Sequence, residues 1–296
     1  MENKVIYLDH AATTKIDDAV LKKMMPYLTN KYGNPSSLYS IGRENKQAIE
    51  KARQQVANVL NCSTKEIYFT SGGSESDNLA IKGIAYANKK KGNHIITSKI
   101  EHSAVLNTCR VLEKNGFEVT YLNVDSNGRV LIDELENSIK PSTILVSIMF
   151  ANNEVGTIQD IKKIGEITKE KGVYFHTDAV QAIGNTYIDV QQLNIDSLSM
   201  SAHKFYGPKG VGALYVRSGI MLDGIINGGH QEMGKRAGTE NVAGIVGLGE
   251  AIQLAYTDLN KNNQHLLNLS NYYMQAIEKR ISNVYFNGDV INRLPR

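Results

Sequence analysis

Cysteine is scarce in this sequence: Cys62 and Cys109 are the two in 296 residues. They form no CxxC pair and no disulfide framework, so a reducing compartment suits the chain. Long apolar runs are missing too. After Met1-Glu2-Asn3-Lys4 the N-terminus offers only Val5-Ile6-Tyr7-Leu8, too short for a signal-peptide core or a membrane span. The cytoplasm is the expected location, with no membrane partner. Nor is there an excess of one charge. The formal net charge is +3, and the cluster Lys89-Lys90-Lys91 reads as a solvated helix end that suits the helix dipole. That argues against a direct nucleic-acid partner. Internal repeats and low-complexity tracts are also missing.

What is present is an ordinary globular composition, long enough for one large domain with or without a smaller appendage. From residue 66 onward, strand and helix patterns alternate. Strands are expected at 66–70, 94–98, 118–124, 143–150 and 173–177, and helices at 75–90, 103–115, 133–139 and 160–171. This is the rhythm of an α/β fold with a mostly parallel central sheet flanked by helices. A strand is expected at 210–217, a glycine-rich loop over 219–240, and helices at 241–256 and 262–281. A last strand-like piece is expected at 283–286.

Ligands of open parallel sheets sit beyond the carboxyl ends of the strands. After 66–70 comes Ser71-Gly72-Gly73-Ser74-Glu75, which fits an anion cradle at a helix N-terminus and equally a tight turn capped by Ser74. After 94–98 comes Glu101-His102, and after 143–150 comes Asn152-Asn153-Glu154; each alone could simply end a strand. Asp178 stands at the tip of a buried strand, where a carboxylate needs a partner, whether a cap, a salt bridge or a protonated pyridine nitrogen. Lys204 follows Ser201-Ala202-His203; most lysines are surface residues, but an enclosed one can form a Schiff base. Taken as a set, an amine, an acid, a flat group and an anion cradle are what pyridoxal 5'-phosphate requires. No metal site is expected.

The ordered motifs carry a resemblance. They are Tyr7-Leu8-Asp9-His10-Ala11-Ala12-Thr13-Thr14, Gly33-Asn34-Pro35-Ser36-Ser37, Thr70-Ser71-Gly72-Gly73-Ser74-Glu75-Ser76-Asp77-Asn78, Asn152-Asn153-Glu154-Val155-Gly156, His176-Thr177-Asp178-Ala179-Val180-Gln181, Ser201-Ala202-His203-Lys204, Gly207-Pro208-Lys209-Gly210 and Arg236-Ala237-Gly238-Thr239-Glu240-Asn241. The chain resembles cysteine desulfurases of the NifS/IscS type, within the class V aminotransferase-like enzymes. The resemblance implies a fold-type I architecture, a homodimer, and pyridoxal phosphate bonded to Lys204. It implies that His102 stacks on the pyridine ring and Asp178 pairs with the ring nitrogen. Gln181 and Asn153 then bind near the ring hydroxyl and substrate, and Gly73, Ser74, Ser201 and His203 hold the phosphate. Thr239 is the phosphate contact lent by the neighbouring subunit. The implied reaction converts L-cysteine to L-alanine. Its sulfur passes as an enzyme persulfide to an iron–sulfur scaffold or another acceptor protein, for cluster assembly or tRNA thiolation.

The resemblance also sets expectations at the C-terminus. The family's nucleophilic cysteine and its carboxylate-binding arginine lie downstream of the matched motifs. Cys62 and Cys109 match neither position and are read as a helix-end and a packing residue. The chain is therefore expected to be a C-terminally truncated desulfurase with impaired activity. Residues 15–262 would form the large cofactor domain, and 1–14 with 263–296 an incomplete small α+β domain. Another pyridoxal phosphate aminotransferase or β-lyase, or a non-catalytic dimerising remnant, stands as the alternative.

Overall fold

The computed structural model describes residues 6–295, so the first five residues of the predicted 1–14 segment, and Arg296, lie outside it. Helices α1 (Asp18–Thr29) and α2 (Ser40–Leu60) lead into strand β1 (Ile67–Thr70) and helix α3 (Gly73–Ala87). Then follow β2 (His94–Ser98), α4 (Ser103–Lys114), β3 (Glu118–Leu122), α5 (Ile132–Ser138), β4 (Thr143–Ser147), α6 (Ile161–Lys171) and β5 (Tyr174–Asp178). Strands β6 (Ser197–Ser201) and β7 (Gly212–Val216) precede the closing helices α7 (Val242–Thr257) and α8 (Leu259–Arg280).

The seven strands form one sheet in the order β1-β7-β6-β5-β4-β2-β3. Strands β3, β2, β4, β5 and β6 are mutually parallel, and β7 runs antiparallel to both β6 and β1. Strand β1 therefore points the same way as the parallel set. The expected α/β architecture is present, with β7 the one reversed strand.

Alternating side chains of the strands feed two cores. Ile96, Val146 and Tyr215 face the core built with α1, α2, α6 and α7, while their neighbours Ile95, Leu145 and Leu214 face the core built with α3 and α4. Successive strand side chains point to opposite faces, so strands covered on both sides are apolar throughout. Helix α2 shows the matching helical stripe, burying Ile49, Ala52, Arg53, Val56, Ala57 and Leu60. Helix ends are set locally. Asp17 accepts the Ala19 N–H at the start of α1, and Asn241 accepts the Gly244 N–H at the start of α7. Gly172, at φ 68°, ends α6.

Three expectations are corrected. The strands drawn to 124 and 150 leave the ladder at Leu122 and Ser147, although Ile148 and Phe150 still donate to His176 O and Asp178 O at 3.1 and 2.8 Å. The glycine-rich turn before α3 is not capped by Ser74: the cap is Gly72, with no side-chain hydrogen bond. Residues 283–286 form no strand, and Tyr285 is 87% exposed. The segment that docks lies further on. Arg293 bridges Thr157, Ile158 donates to Asn292 O at 2.9 Å, and Leu294 donates to Gly156 O at 2.9 Å.

Candidate active site

Because β1, β2, β4, β5 and β6 share one direction, their carboxyl ends meet along one edge of the sheet. A cleft of about 470 Å³ lies there. It brings together nine of the ten predicted residues: Gly73, Ser74, His102, Asn153, Asp178, Gln181, Ser201, His203 and Lys204. Thr239 does not line it. That residue is exposed, in a loop tied to α3 by the Arg236–Glu75 ion pair at 2.8 Å.

One part of the cleft is built by backbone. Gly72 has φ 152°, a conformation rarely open to L side chains. At Gly73 a Cβ would sit 2.6 Å from Val180 Cγ2. Only glycines let the start of α3 come this close to the turn after β5. The first N–H groups of α3 have no partner within the helix, and the dipole favours an anion there. Ser74, Ser201 and His203 add side-chain donors around it. Burial lowers the His203 pKa, and the charges of Lys204 and Lys209 lower it further, keeping that ring neutral.

Lys204 closes a short 3-10 turn, Ala202–Lys204, directly after β6. Its Nζ donates to the backbone carbonyls of Ala11 and Ala12, the latter at 2.8 Å. The Gln181 amide also donates to Ala11 O, at 3.1 Å. The N-terminal segment is fixed there because Thr14 donates to His203 O from both its N–H and its hydroxyl, each at 2.9 Å. His203 Nδ1 meets Thr13 Oγ1 at 3.0 Å. Sequence reasoning did not find these two carbonyl acceptors, since side-chain chemistry gives no sign of them.

At the opposite end Asp178, the last residue of β5, is buried and accepts the Val180 N–H at 2.9 Å. Burial raises its pKa, while that hydrogen bond and the charges of His102 and Lys204 hold it down. His102 is the N-cap of α4, its Nδ1 accepting the Ala104 N–H at 3.2 Å. Behind Asp178 lies a buried polar layer that sequence reasoning also missed. Asp77 of α3 is 1% exposed, and its carboxyl is held well above the usual range by burial and by the neighbouring Asp178 charge. His176 bonds Ser147 Oγ at 2.9 Å and Ser199 Oγ at 3.0 Å, and burial pushes its pKa down to about 3. Glu101 accepts from Ser98 Oγ at 2.6 Å and from the Met149 N–H at 2.9 Å, and burial pushes it up to about 8.

The cleft thus offers an anion cradle, a primary amine and a buried acid in one enclosure. Neither cysteine lines it. Cys109 packs inside α4, Cys62 follows α2, and burial pushes both thiols up to about 12.

The family described as aminotransferase class-V matches residues 6–295, and the chain belongs to it. Its relatives include the cysteine desulfurase IscS of Clostridium botulinum strain Hall, 59% identical over 99% of this chain and 74% of that protein. Cysteine desulfurase IscS of Methanosarcina thermophila is 57% identical over 99% of this chain and 72% of its own. A solved NifS-like protein superposes with a TM-score of 0.95 at 43% identity, over 98% of this chain and 80% of that one. A structure of SspA in complex with cysteine gives 0.82 at 45% identity, over 84% and 72%. No helix among the described residues is long and apolar enough to cross a membrane.

Proposed function

We propose that this chain is a cysteine desulfurase that uses pyridoxal 5'-phosphate, acting in the cytoplasm as a homodimer. The observation that carries the reading is the convergence of Lys204, Asp178 and the Gly73–Ser74 cradle in one cleft. The donor chemistry fits the cofactor at each end. Gly73, Ser74, Ser201 and His203 would hold its phosphate, Asp178 would pair with its ring nitrogen, and His102 would cover the ring. Gln181 and Asn153 stand by the ring hydroxyl and the substrate. Thr239 serves the neighbouring subunit's cleft. When bound, pyridoxal phosphate supplies an electron sink for the substrate's Cα.

Lys204 anchors the cofactor, and its Nζ then moves the substrate's Cα proton. Asp178 keeps the ring nitrogen protonated by holding a negative charge beside it. The sulfur of L-cysteine leaves on an attacking thiolate, yielding L-alanine and a persulfide on that thiol. Cys62 and Cys109 do not serve, being outside the cleft and held as thiols. The acceptor is a thiol other than Cys62 and Cys109, and an iron–sulfur scaffold or other sulfur-acceptor protein takes the sulfur onward.

The reading has two further parts. Exposed Leu21, Met25 and Leu28 form one face of α1, which suits a subunit contact. We read 15–262 as the cofactor domain and the two ends as a smaller unit, whose Arg293 and Leu294 pair with Thr157 and Gly156.

The test is to supply L-cysteine and assay alanine and sulfide, with and without an added dithiol. Little alanine or sulfide is expected without the dithiol, and equal amounts of the two when the dithiol stands in as sulfur acceptor; robust turnover without it would reject the expected impairment. Pyruvate and ammonia in place of alanine would identify a β-lyase and reject the proposal.

A further inference from the structure

The buried layer behind Asp178 contains an acid that the reading above does not use. Asp77 lies on α3, 1% exposed, and its Oδ1 has no hydrogen-bond partner. Donor atoms of Asp77, Asp178 and His102 all lie within 4.8 Å of one another. His176 Nε2 is 3.7 Å from Asp77 Oδ1, but its two nitrogens already engage the hydroxyls of Ser147 and Ser199. Among the described residues no lysine or arginine forms an ion pair with Asp77. The groups facing it are His176 and Asp178 from β5, Ser199 from β6, and Glu101 and His102 from the segment before α4, with Lys204 beyond Asp178.

Two carboxylates this close in a dry site repel strongly, and one proton between them removes that repulsion. Burial and the Asp178 charge act on Asp77 in that same direction, against a Ser199 hydrogen bond that favours the ionised form. We propose that Asp77 is a neutral carboxylic acid beside an ionised Asp178, so that the buried pair presents one negative charge to the cleft. The single charge stands on the pair alone. Its consequence rests on the cofactor reading: one negative charge balances one protonated ring nitrogen. Asp77 is then a positioning residue, acting through Asp178 by fixing the charge of the site.

Infrared spectroscopy of the whole chain without cofactor at pH 7 tests the pair, using protein made with heavy-carbon-labelled aspartate. A carbonyl stretch of a neutral carboxylic acid that shifts with the label, and is lost in Asp77→Asn, is expected. A spectrum with no neutral aspartic acid would overturn the proposal, and this wild-type measurement stands even if the variant does not fold. Failure of the cofactor reading would leave this band in place, so the two outcomes are distinguishable. Cofactor titration tests the role. Asparagine matches the size and neutrality of the protonated acid, so Asp77→Asn should change the dissociation constant by no more than about threefold. A loss of about tenfold or more in a folded Asp77→Asn protein would show that the charge of Asp77 itself is needed and would reject the neutral acid.

Discussion

Glu101 shows how the polar layer under the cleft couples to pH. Burial holds its carboxyl at about 8 although Ser98 and Met149 donate to one oxygen, and the other oxygen has no partner. The folded chain keeps this proton more tightly than the unfolded chain. Its stabilising contribution is complete below the unfolded value of about 4.3. It is then lost as pH rises toward about 8. Thermal unfolding of the cofactor-free protein should therefore show stability falling across that interval. Glu101→Gln, whose amide oxygen can accept the same two donors, should flatten the fall. At Asp178 the expected effect is on chemistry. On the proposed reading Asp178→Asn would remove the charge that keeps the ring nitrogen protonated, and alanine formation should fall by about 10²–10⁴-fold. Cys62→Ser and Cys109→Ala should leave it unchanged, because neither thiol reaches the cleft. Steady-state assays of the three variants separate these outcomes.

Among the elements, the loop between β7 and α7 is held by a buried clamp. Arg53 of α2 donates to both oxygens of Glu232, at 2.7 and 2.9 Å, and also to Ile67 O at 2.7 Å. Glu232 further accepts the Phe69 N–H at 2.9 Å. Glu232 and Met233 have φ of 46° and 55°, a left-handed conformation that disfavours residues with a Cβ. The clamp holds this strained turn against α2 and β1, a few residues before Thr239. Removing one member leaves a buried charge unpaired, so Arg53→Met should destabilise the protein by about 3–5 kcal/mol in denaturant unfolding. Local patterning made most elements legible. Strand 94–98 appears as read, and α3, α4, α6, α7 and α8 fall within a few residues of their sequence positions. The piece at 283–286 misled because its apolar alternation pairs with neither edge strand, β1 or β3, and the chain docks instead through residues 292–294. The cradle, Asp178 and Lys204 were legible because each stands at or just beyond the carboxyl end of a strand. Asp77 was not, although a signal existed: it sits three, four and seven positions before Ala80, Ile81 and Ile84, on the buried stripe of α3. A carboxylate in such a stripe points to a buried partner.

For the whole molecule, the direction of the strands matters most. Five parallel carboxyl ends on one edge gather residues from 73 to 204 into a single enclosure, and the reversed β7 brings β1, with its glycine turn, to that edge. The two cores hold the sheet rigid from both faces. Leu79 is fully buried in the α3 core, and Leu79→Ala should cost about 2–5 kcal/mol. At the assembly level, sedimentation should give a dimer, with Met25→Lys on the exposed face of α1 shifting it toward monomer. The most direct test of the central claim is to load the protein with pyridoxal phosphate, reduce it with borohydride, digest it, and locate the added phosphopyridoxyl mass. The account predicts that mass on the peptide containing Lys204 and its loss in Lys204→Ala. A label on another lysine, or none, would contradict it.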